Sequence, residues 1–446
     1  MRRPGLATAL GNAGWLALDR LLRLAVGLIV TVWVARYLGP ERFGQLNFAL
    51  AFVALFGPFA GLGLKNILVR DIVRAPEGNA DTVGSAFALA IIGGLLAYLL
   101  ALVCITCLRP GNTEAITLVA IAGLVLLFRF GDVAAFWFEA QIRSKYVAWA
   151  SVCAFLAFSL VKIVLILQEA LLPAFAWASA GEVALIAVLS VIAFHVKGLG
   201  LDALRVSLPR AKGLLVDSWP LMLSGFSMMI YMKVDQVMLG FMAGDEEVGI
   251  YSAAARISEL WYFIPMVIVA SLFPSILKSR EVDNKRYLSR LQSLCDLMAW
   301  LALVVALPVT FFSDVAITLI FGTGYANAGD ILTVHVWAGL FVFLGVAGGR
   351  WYVAEGRQIL NFYRKGTGAV VNIVLNWLLI PAWGGLGAAV ATVLSYALVE
   401  LFSDSWREET RLLFWIKLRA LNFPLSGMRI IQEVNNGEGG DHQIPS

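Results

Sequence analysis

Long uninterrupted apolar runs, separated by short polar segments, recur along the whole of this sequence. Each run is about 20 residues or longer, which is the length that an α-helix needs to cross a hydrocarbon core of about 30 Å. The runs do not show the apolar/polar alternation that the wall of a β-barrel requires. The pattern therefore predicts an all-α polytopic membrane protein with about twelve transmembrane helices. The first six spans fall at residues 13–35, 43–63, 83–108, 115–139, 147–167 and 171–196, and the second six at 214–243, 248–277, 287–312, 328–354, 361–383 and 386–406.

Composition agrees with this pattern and excludes several functions. The 446 residues are 60% hydrophobic and only 14% charged, too few charges to wet the surface of a soluble domain of this size. The net charge of +4 is spread over short loops, so no nucleic-acid partner is expected. Three scattered histidines give no metal site, and no catalytic or nucleotide-binding motif is present. We therefore predict a protein that is not an enzyme and that uses no cofactor.

The basic residues predict the orientation of the spans. Of the 34 lysines and arginines, 23 lie on one side of the predicted membrane and only Arg36, Arg42 and Arg109 lie on the other. Short cytoplasmic loops carry an excess of basic residues, so both termini are predicted to be cytoplasmic. The expected location is the bacterial cytoplasmic (inner) membrane, crossed many times.

A basic segment at residues 197–213 is the longest connection without a span, and it divides the chain into six spans and six spans. We predict an N-lobe at 1–196, this cytoplasmic linker, a C-lobe at 214–406, and a cytoplasmic amphipathic and disordered tail at 407–446. The sequence YLGPERFGQLNFALAF resembles FMAGDEEVGIYSAAAR, with Gly44 and Gly249 in register. An even number of spans in each repeat makes the two repeats parallel. Two pseudo-symmetric six-helix lobes facing a central cavity are therefore expected.

Charged residues inside the spans are the candidates for function. Each one costs on the order of 3 kcal/mol at the centre of a bilayer, so a membrane protein that keeps them usually pairs them or uses them. Arg129 with Asp132 and Arg256 with Glu259 are spaced at i and i+3, which allows pairing on one helix face. For each of these pairs, a purely structural role, in which the two charges neutralise each other and hold helices together, is as good an explanation as a functional one. For the cations taken together we favour a shared, water-filled cavity that receives an anionic cargo, formed by Arg23, Arg129, Lys233 and Arg256.

These residues and several longer segments resemble the polysaccharide-biosynthesis flippases, the O-antigen and capsule branch of the multidrug, oligosaccharidyl-lipid and polysaccharide (MOP) exporter superfamily. The most specific segments are KVDQVMLGFMAGDEEVGIYSAAARISE, FGTGYANAGDILTVHVWAG and NIVLNWLLIPAWGGLGAAVATVLSY. The resemblance covers nearly all of residues 5–406. It implies a MATE/MOP-like fold with two lobes, alternating access, and an undecaprenyl-diphosphate-linked oligosaccharide as the cargo.

The expected function is a flippase that moves this lipid-linked oligosaccharide from the inner to the outer leaflet. Its partners would be the lipid-linked oligosaccharide and membrane lipids, with a polysaccharide polymerase or glycosyltransferases as further partners. Ion coupling could involve acidic residues within the spans, and antiport and uniport both stay open. The candidate coupling residues are Asp132, Glu182, Asp235 and Glu259. Two alternatives are a MATE-type drug/cation antiporter, which should favour anionic cavity residues, and a membrane-embedded polysaccharide polymerase or ligase, which needs a sizeable outer loop.

Overall fold

A computed structural model describes residues 6–75 and 79–429, without the side chains of 6–25 and of 281–282. Within these residues the regular structure is helical and contains no strand. Contacts divide the chain into two compact units, Met1–Gly249 and Ile250–Ser446. The division at the basic segment 197–213 stays a prediction.

The first unit contains eight helices, and a ninth helix begins in it and continues into the second unit. They are α1 (Leu6–Gly61), α2 (Leu64–Arg74), α3 (Asn79–Leu108), α4 (Thr113–Leu127), α5 (Phe130–Ala140), α6 (Lys145–Leu167), α7 (Leu172–Lys197), α8 (Leu208–Met242) and α9 (Asp245–Glu259). Its apolar core lies where α2, α3 and α5 meet, with Phe87, Trp137 and Phe194 among the buried side chains.

The second unit is built from the remaining helices. They are α10 (Phe263–Val282), α11 (Asn284–Phe321), α12 (Ala328–His335), α13 (Ala338–Ala354), α14 (Gln358–Glu400) and α15 (Glu408–Ala420). Its core is formed by α10, α11, α13 and one face of α15, with Leu413, Ile416 and Ala420 of α15 buried in it. Leu412 and Trp415 on the opposite face of α15 are exposed, as an amphipathic helix at a membrane surface requires. The predicted tail therefore begins with a helix that packs into the unit, and residues beyond 429 lie outside the described part.

The predicted number of spans is confirmed. Ten segments of the described chain are long and apolar enough to cross a membrane. Two of them contain a sharp break, at Gly39 in α1 and at Gly384 in α14, so each of these two crosses twice. Both glycines have positive φ angles, +74° and +51°, which side chains with a Cβ rarely adopt. The described chain thus provides twelve spans, as its apolar runs predicted.

Polar contacts join segments that the basic residues had placed at the same end of the spans. At the end predicted to be outer, Arg109 pairs with Asp245. The pairs at the basic end are Arg70–Asp217, Arg210–Asp71 and Lys65–Glu139 in the first unit, and Arg280–Glu355 and Arg357–Glu409 in the second. Residues that pair with each other thus lie at the same predicted end of the spans, which agrees with the prediction that successive spans run in opposite directions. That the basic end faces the cytoplasm stays a prediction.

The two glycines of the internal repeat touch each other's segments. A Cβ on Gly44 would overlap the backbone oxygen of Asp245, and a Cβ on Gly249 would overlap the backbone oxygen of Pro40. Gly44 and Gly249 are 205 residues apart, as are Pro40 and Asp245. Each segment therefore meets the other through equivalent positions, which is the pattern of a two-fold contact. The two segments of the sequence repeat therefore pack against each other.

Beside this contact, the guanidinium of Arg109 is held on several sides. It lies 3.0 Å from the Asp245 carboxylate and also donates to the backbone oxygen of Gly240. The Phe48 ring lies 3.9 Å below the guanidinium and packs edge-on against Phe241. The sequence predicts Arg109 only as a cation of an outer loop. Its fixed position connects the α3–α4 loop to the start of α9.

Candidate functional site

Arg129 lies at a helix break inside a span. α4 ends at Leu127 and α5 begins at Phe130, so Arg129 occupies the junction between them. Its Nη1 donates to the Asp132 carboxylate at 3.1 Å, which confirms the pairing expected at i and i+3. Both side chains remain about 40% exposed, at 39% and 43%. The pair is therefore not sealed in a dry core, and binding of a ligand by Arg129 stays a prediction.

The Arg129 guanidinium also lies against α1. Its Nη2 is 3.3 Å from the position that a Cβ on Gly57 would occupy. The next residue, Pro58, lies close to Gly225 of α8. The cation is therefore near the seam along which α1 and α8 pack. Lys233 lies eight residues beyond Gly225, or roughly 12 Å further along α8.

Lys233 and Asp235 lie in the last third of α8 and have different surroundings. Asp235 is buried, with 5% of its surface exposed, whereas Lys233 is half-buried. Residues at i and i+2 point to different sides of a helix, so this difference is expected. Among the described side chains, Lys233 has no ion-pair partner. An amine without a partner in an apolar span is the kind of charge that marks a substrate or ion path.

Glu182 has a partner that the sequence did not reveal. Lys162 on α6 lies 3.1 Å from the Glu182 carboxylate on α7, and both side chains are at most one-fifth exposed. The two residues are 20 positions apart, so helical spacing gives no signal for this pair. The contact neutralises both charges inside the first unit.

Arg256 and Glu259 belong to the second unit and are not joined by an ion pair in the described chain. Arg256 is exposed, although its neighbours Ala255 and Ile257 are buried, and Glu259 is half-buried. α9 ends at Glu259, where a short 3-10 turn begins. The ion pair expected at i and i+3 is therefore not formed, although Glu259 is near enough to act electrostatically on Arg256. A role of Arg256 in binding an anion stays a prediction.

Arg23 lies within α1, but its side chain is outside the described residues. Arg129, Lys233, Asp132, Glu182 and Asp235 belong to the first unit, while Arg256 and Glu259 belong to the second. A shared chamber for these residues stays a prediction.

Sequence reasoning missed a buried cluster of charges in the second unit. Asp404 and Lys417 are fully buried and lie 2.7 Å apart. Arg364 is also buried and lies 3.0 Å from Glu400 and 3.2 Å from Asp404. The sequence places Arg364 at the start of the predicted span 361–383, on its basic side, and Lys417 in the predicted tail, and neither position indicates a buried charge. The available signal was the i and i+4 spacing of Glu400 and Asp404 at the end of an apolar helix.

Two glycines of α13 provide the space for this cluster. A Cβ on Gly348 would lie 2.6 Å from the Lys417 Nζ, and a Cβ on Gly345 would overlap the Glu400 carboxylate. The hydroxyl of Tyr352, one turn further along α13, donates to Asp404 at 2.6 Å. The cluster thus connects α13 and α14 to α15.

Comparison with known proteins shows the class of the fold. A multidrug resistance MATE family transporter of the MOP superfamily, in an inward-facing conformation, superimposes with a TM-score of 0.65 over 93% of this chain and 99% of that chain, at 16% identity. The lipid II flippase MurJ, in an inward closed conformation, gives a TM-score of 0.65 over 96% of this chain and 93% of that chain, also at 16% identity. The chain therefore shares the fold of these two proteins, as the resemblance implied.

The family follows from the sequence itself. The model of the family described as "Polysaccharide biosynthesis protein" matches residues 9–280, and the chain belongs to this family. The MatE family model matches residues 220–378.

Individual relatives carry names that refer to flippases and glycan transport. AglR of Haloferax volcanii, named a probable flippase, is 32% identical over 204 residues, covering 43% of this chain and 42% of that protein. Agl15 of the same organism, named a probable low-salt glycan biosynthesis flippase, is 25% identical over 37% of this chain and 36% of that protein. The matches to these two relatives thus span less than half of their length. The succinoglycan biosynthesis transport protein ExoT of Rhizobium meliloti is 26% identical over 88% of this chain and 76% of that protein.

Proposed function

We propose that this protein is a flippase that translocates an oligosaccharide linked to undecaprenyl diphosphate from the inner to the outer leaflet of the membrane. The family match over residues 9–280 is the observation that carries this proposal, because this range includes all four candidate cations. The names of AglR, Agl15 and ExoT support the same class of cargo.

The cations in the spans would receive the diphosphate. Arg129 remains partly exposed beside Asp132, Lys233 has no ion-pair partner among the described side chains, and Arg256 is exposed. A guanidinium presents a planar fork of donors that matches phosphate oxygens, and a lysine ammonium binds them as a point charge. We infer that these three residues, together with Arg23, bind the diphosphate, while the polyprenyl chain stays in the lipid.

Transport would proceed by alternating access between states open to the two sides of the membrane. The breaks at Gly39 and Gly384, and the junction at Arg129, are places where the helices of each unit can change direction. Moving two negative charges outward across an inside-negative membrane is favoured by roughly 4–5 kcal/mol per 100 mV. The membrane potential alone could therefore drive export.

Coupling to an ion would use the acidic residues of the spans. Glu259 is half-buried and forms no ion pair with Arg256 in the described chain, so it is the strongest candidate, and the buried Asp235 is the second. Asp132 and Glu182 are already paired with Arg129 and Lys162.

We further propose that the protein acts in the bacterial cytoplasmic (inner) membrane, next to the glycosyltransferases that build the glycan or the polymerase that extends it. The described connections at the predicted outer end are short, such as residues 109–112 and 168–171. They leave little room for a catalytic domain, which favours transport over a polymerase or ligase.

Complementation of a flippase-deficient strain tests the proposal. The unaltered chain should restore surface polysaccharide, and a variant with Arg129→Gln, Lys233→Met and Arg256→Gln should not. The exposed Arg411→Gln serves as the control and should complement fully, because Arg411 lies on α15 outside the spans. Full complementation by the triple variant, at equal protein level, would contradict the role given to the cations.

A MATE-type drug/cation antiporter is the second candidate, favoured by the MatE match over residues 220–378. It predicts binding of a cationic dye by the purified protein and no binding of a lipid diphosphate. The partly exposed arginines in the spans would repel such a cation, so we expect the opposite result.

A further inference from the structure

Three segments of the first unit meet at the end of the spans that is predicted to be outer. They are the part of α1 that follows the break at Gly39, the loop between α3 and α4, and the end of α8 with the start of α9. Arg109 of the loop pairs with Asp245 at the start of α9 and also donates to the backbone oxygen of Gly240 near the end of α8. Gly44 of α1 lies against the backbone of Asp245. These contacts close the seam between α1 and α8 at this end.

The Arg109–Asp245 pair is well formed but lies at the end of the spans. Both Nη1 and Nη2 of Arg109 lie 3.0 Å from Oδ1 of Asp245. The two side chains are only 12% and 17% exposed, so the pair is mostly shielded from water while the segments touch. If the segments part, both groups return to water, and no unpaired charge is left in an apolar interior. The pair can therefore open and close reversibly.

An aromatic ring fills the seam beside the ion pair. Phe48 of α1 is 1% exposed, and a Cβ on Gly240 would overlap its ring, so α8 has a notch that receives Phe48. The Phe48 ring packs edge-on against Phe241, with 5.4 Å between the ring centroids, and its centroid lies 5.9 Å from that of Phe52, one turn further along α1. A polar headgroup that passed between these rings would lose its hydrogen bonds to water. The rings therefore block its passage between α1 and α8 at this level.

Glycines make the backbone contact in the same place. Gly44 meets the backbone of Asp245, and Gly249 meets that of Pro40. Small residues let two helices approach closely at their backbones without side chains that interlock. The two surfaces can therefore separate and meet again without rearranging a packed core.

This contact lies between a candidate cargo cation and the predicted outer end. Gly240 is seven residues beyond Lys233 on α8, or roughly 10 Å nearer to that end. A headgroup bound at Lys233 that leaves along this seam passes the level of Phe48 and Gly240. The ion pair and the ring thus lie on the route to the outer side.

We propose that Arg109, Asp245 and Phe48 form an outer latch, which is closed in this structure and parts each time the cargo is released. The inference rests on the proposed transport function and on the predicted orientation, and it adds the residues that keep the outer side shut between release events. Removing the charge of Asp245 frees Arg109 from α9, so the closed state loses stability relative to the open state.

Labelling of a buried cysteine tests the latch without any cargo. The purified protein is held in nanodiscs, where both ends are accessible, and its four native cysteines are first replaced by alanine, namely Cys104, Cys107, Cys153 and Cys295. The reporter is Val237→Cys, because Val237 is buried one turn before Phe241 on α8. Asp245→Asn should raise the rate at which a hydrophilic maleimide labels this cysteine about tenfold, because the rate follows the population of the open state.

Two controls separate opening of the latch from general loosening. Arg70→Gln removes the Arg70–Asp217 pair at the opposite end of α8 and should leave the labelling of Val237→Cys unchanged. Ala176→Cys is a fully buried reporter near the start of α7, a helix that carries no latch residue, and Asp245→Asn should leave its labelling unchanged. The proposal is overturned if Asp245→Asn does not change the labelling of Val237→Cys, or if labelling rises equally at Ala176→Cys or with Arg70→Gln.

Cross-linking tests whether transport requires the latch to part. Phe48→Cys with Phe241→Cys, joined by a short reducible bifunctional thiol reagent, should stop flipping of a polyprenyl-diphosphate oligosaccharide in liposomes, and reduction should restore it. Tyr37→Cys with Phe175→Cys, whose rings are also neighbours, should flip at the same rate with and without the reagent.

The outcomes distinguish the latch from the proposed function. Full flipping by the cross-linked Phe48–Phe241 variant would overturn the latch. Absence of flipping by the unaltered chain would instead contradict the proposed function, and the labelling of Val237→Cys would still show whether the latch opens.

Discussion

The charge cluster of the second unit gives the sharpest prediction about stability, because its two sides are not equivalent. Asp404 is fully buried and accepts from Tyr352 at 2.6 Å, from Lys417 at 2.7 Å and from Arg364 at 3.2 Å. Lys417 is fully buried as well, and its Nζ also donates to the backbone oxygen of Glu400 at 2.6 Å. Asp404→Asn removes the carboxylate that both Lys417 and Arg364 contact, whereas Lys417→Met leaves Asp404 in contact with Arg364.

The magnitudes follow from the partners that each variant leaves behind. Asp404→Asn leaves the buried Lys417 without its carboxylate. Breaking a buried ion pair in this way costs 3–5 kcal/mol, and we expect about 3 because asparagine keeps one acceptor oxygen. Lys417→Met leaves Asp404 in contact with the Arg364 guanidinium, so its cost should be only about 1–2 kcal/mol for the hydrogen bonds lost.

The assay is unfolding of the purified protein in detergent, and the quantity measured is the free energy of unfolding or the midpoint temperature. Asp404→Asn should destabilise more than Lys417→Met, and the double variant should lose less than the sum of the two because the residues are in contact. Arg411→Gln on the exposed face of α15 should change nothing measurable. A larger loss with Lys417→Met than with Asp404→Asn would refute the role of Asp404 as the carboxylate shared by two cations.

Three further predictions concern the first unit. Gly249→Ala should destabilise the protein by about 1–3 kcal/mol in an unfolding assay, because the new Cβ would overlap a backbone oxygen. Gly213→Ala is the control and should be neutral or slightly stabilising, because the space around Gly213 is open. Arg109→Gln should lower the midpoint temperature, because it loses the carboxylate contact and the aromatic stacking together, and unchanged unfolding would contradict the fixed position of this side chain. Lys162→Met and Glu182→Gln should each destabilise and should be less harmful together than their sum, which a double-mutant cycle measures.

The spans were predictable from the sequence because burial in lipid leaves a direct signal. Long apolar runs gave twelve spans, and the breaks at Gly39 and Gly384 fall in the short gaps between neighbouring runs. The repeat was visible because Gly44 and Gly249 are required by a close backbone contact, which leaves only glycine acceptable at both positions.

The partners of buried charges could not be predicted in the same way. Lys162 with Glu182, and Arg364 with Asp404, meet across different helices, so no fixed spacing in the sequence marks them. The burial of Lys417 was harder still to predict. α15 carries several charged residues, so its sequence resembles that of a solvated tail, although Lys417 is fully buried against Asp404. The role of the candidate transport cations stays a prediction.

The central claim is that cations in the spans receive a lipid-linked diphosphate, and a reconstituted flipping assay tests it most directly. Purified protein in liposomes should move a fluorescent polyprenyl-diphosphate oligosaccharide between leaflets, at a rate that rises with a potential that favours export of the anion. Movement should be lost when the span cations are neutralised together, namely Arg23, Arg129, Lys233 and Arg256. It should persist when four exposed cations are neutralised instead, namely Arg205, Lys212, Arg411 and Arg419. Equal flipping by both variants, or export that is indifferent to the potential and to the span cations, would contradict the account.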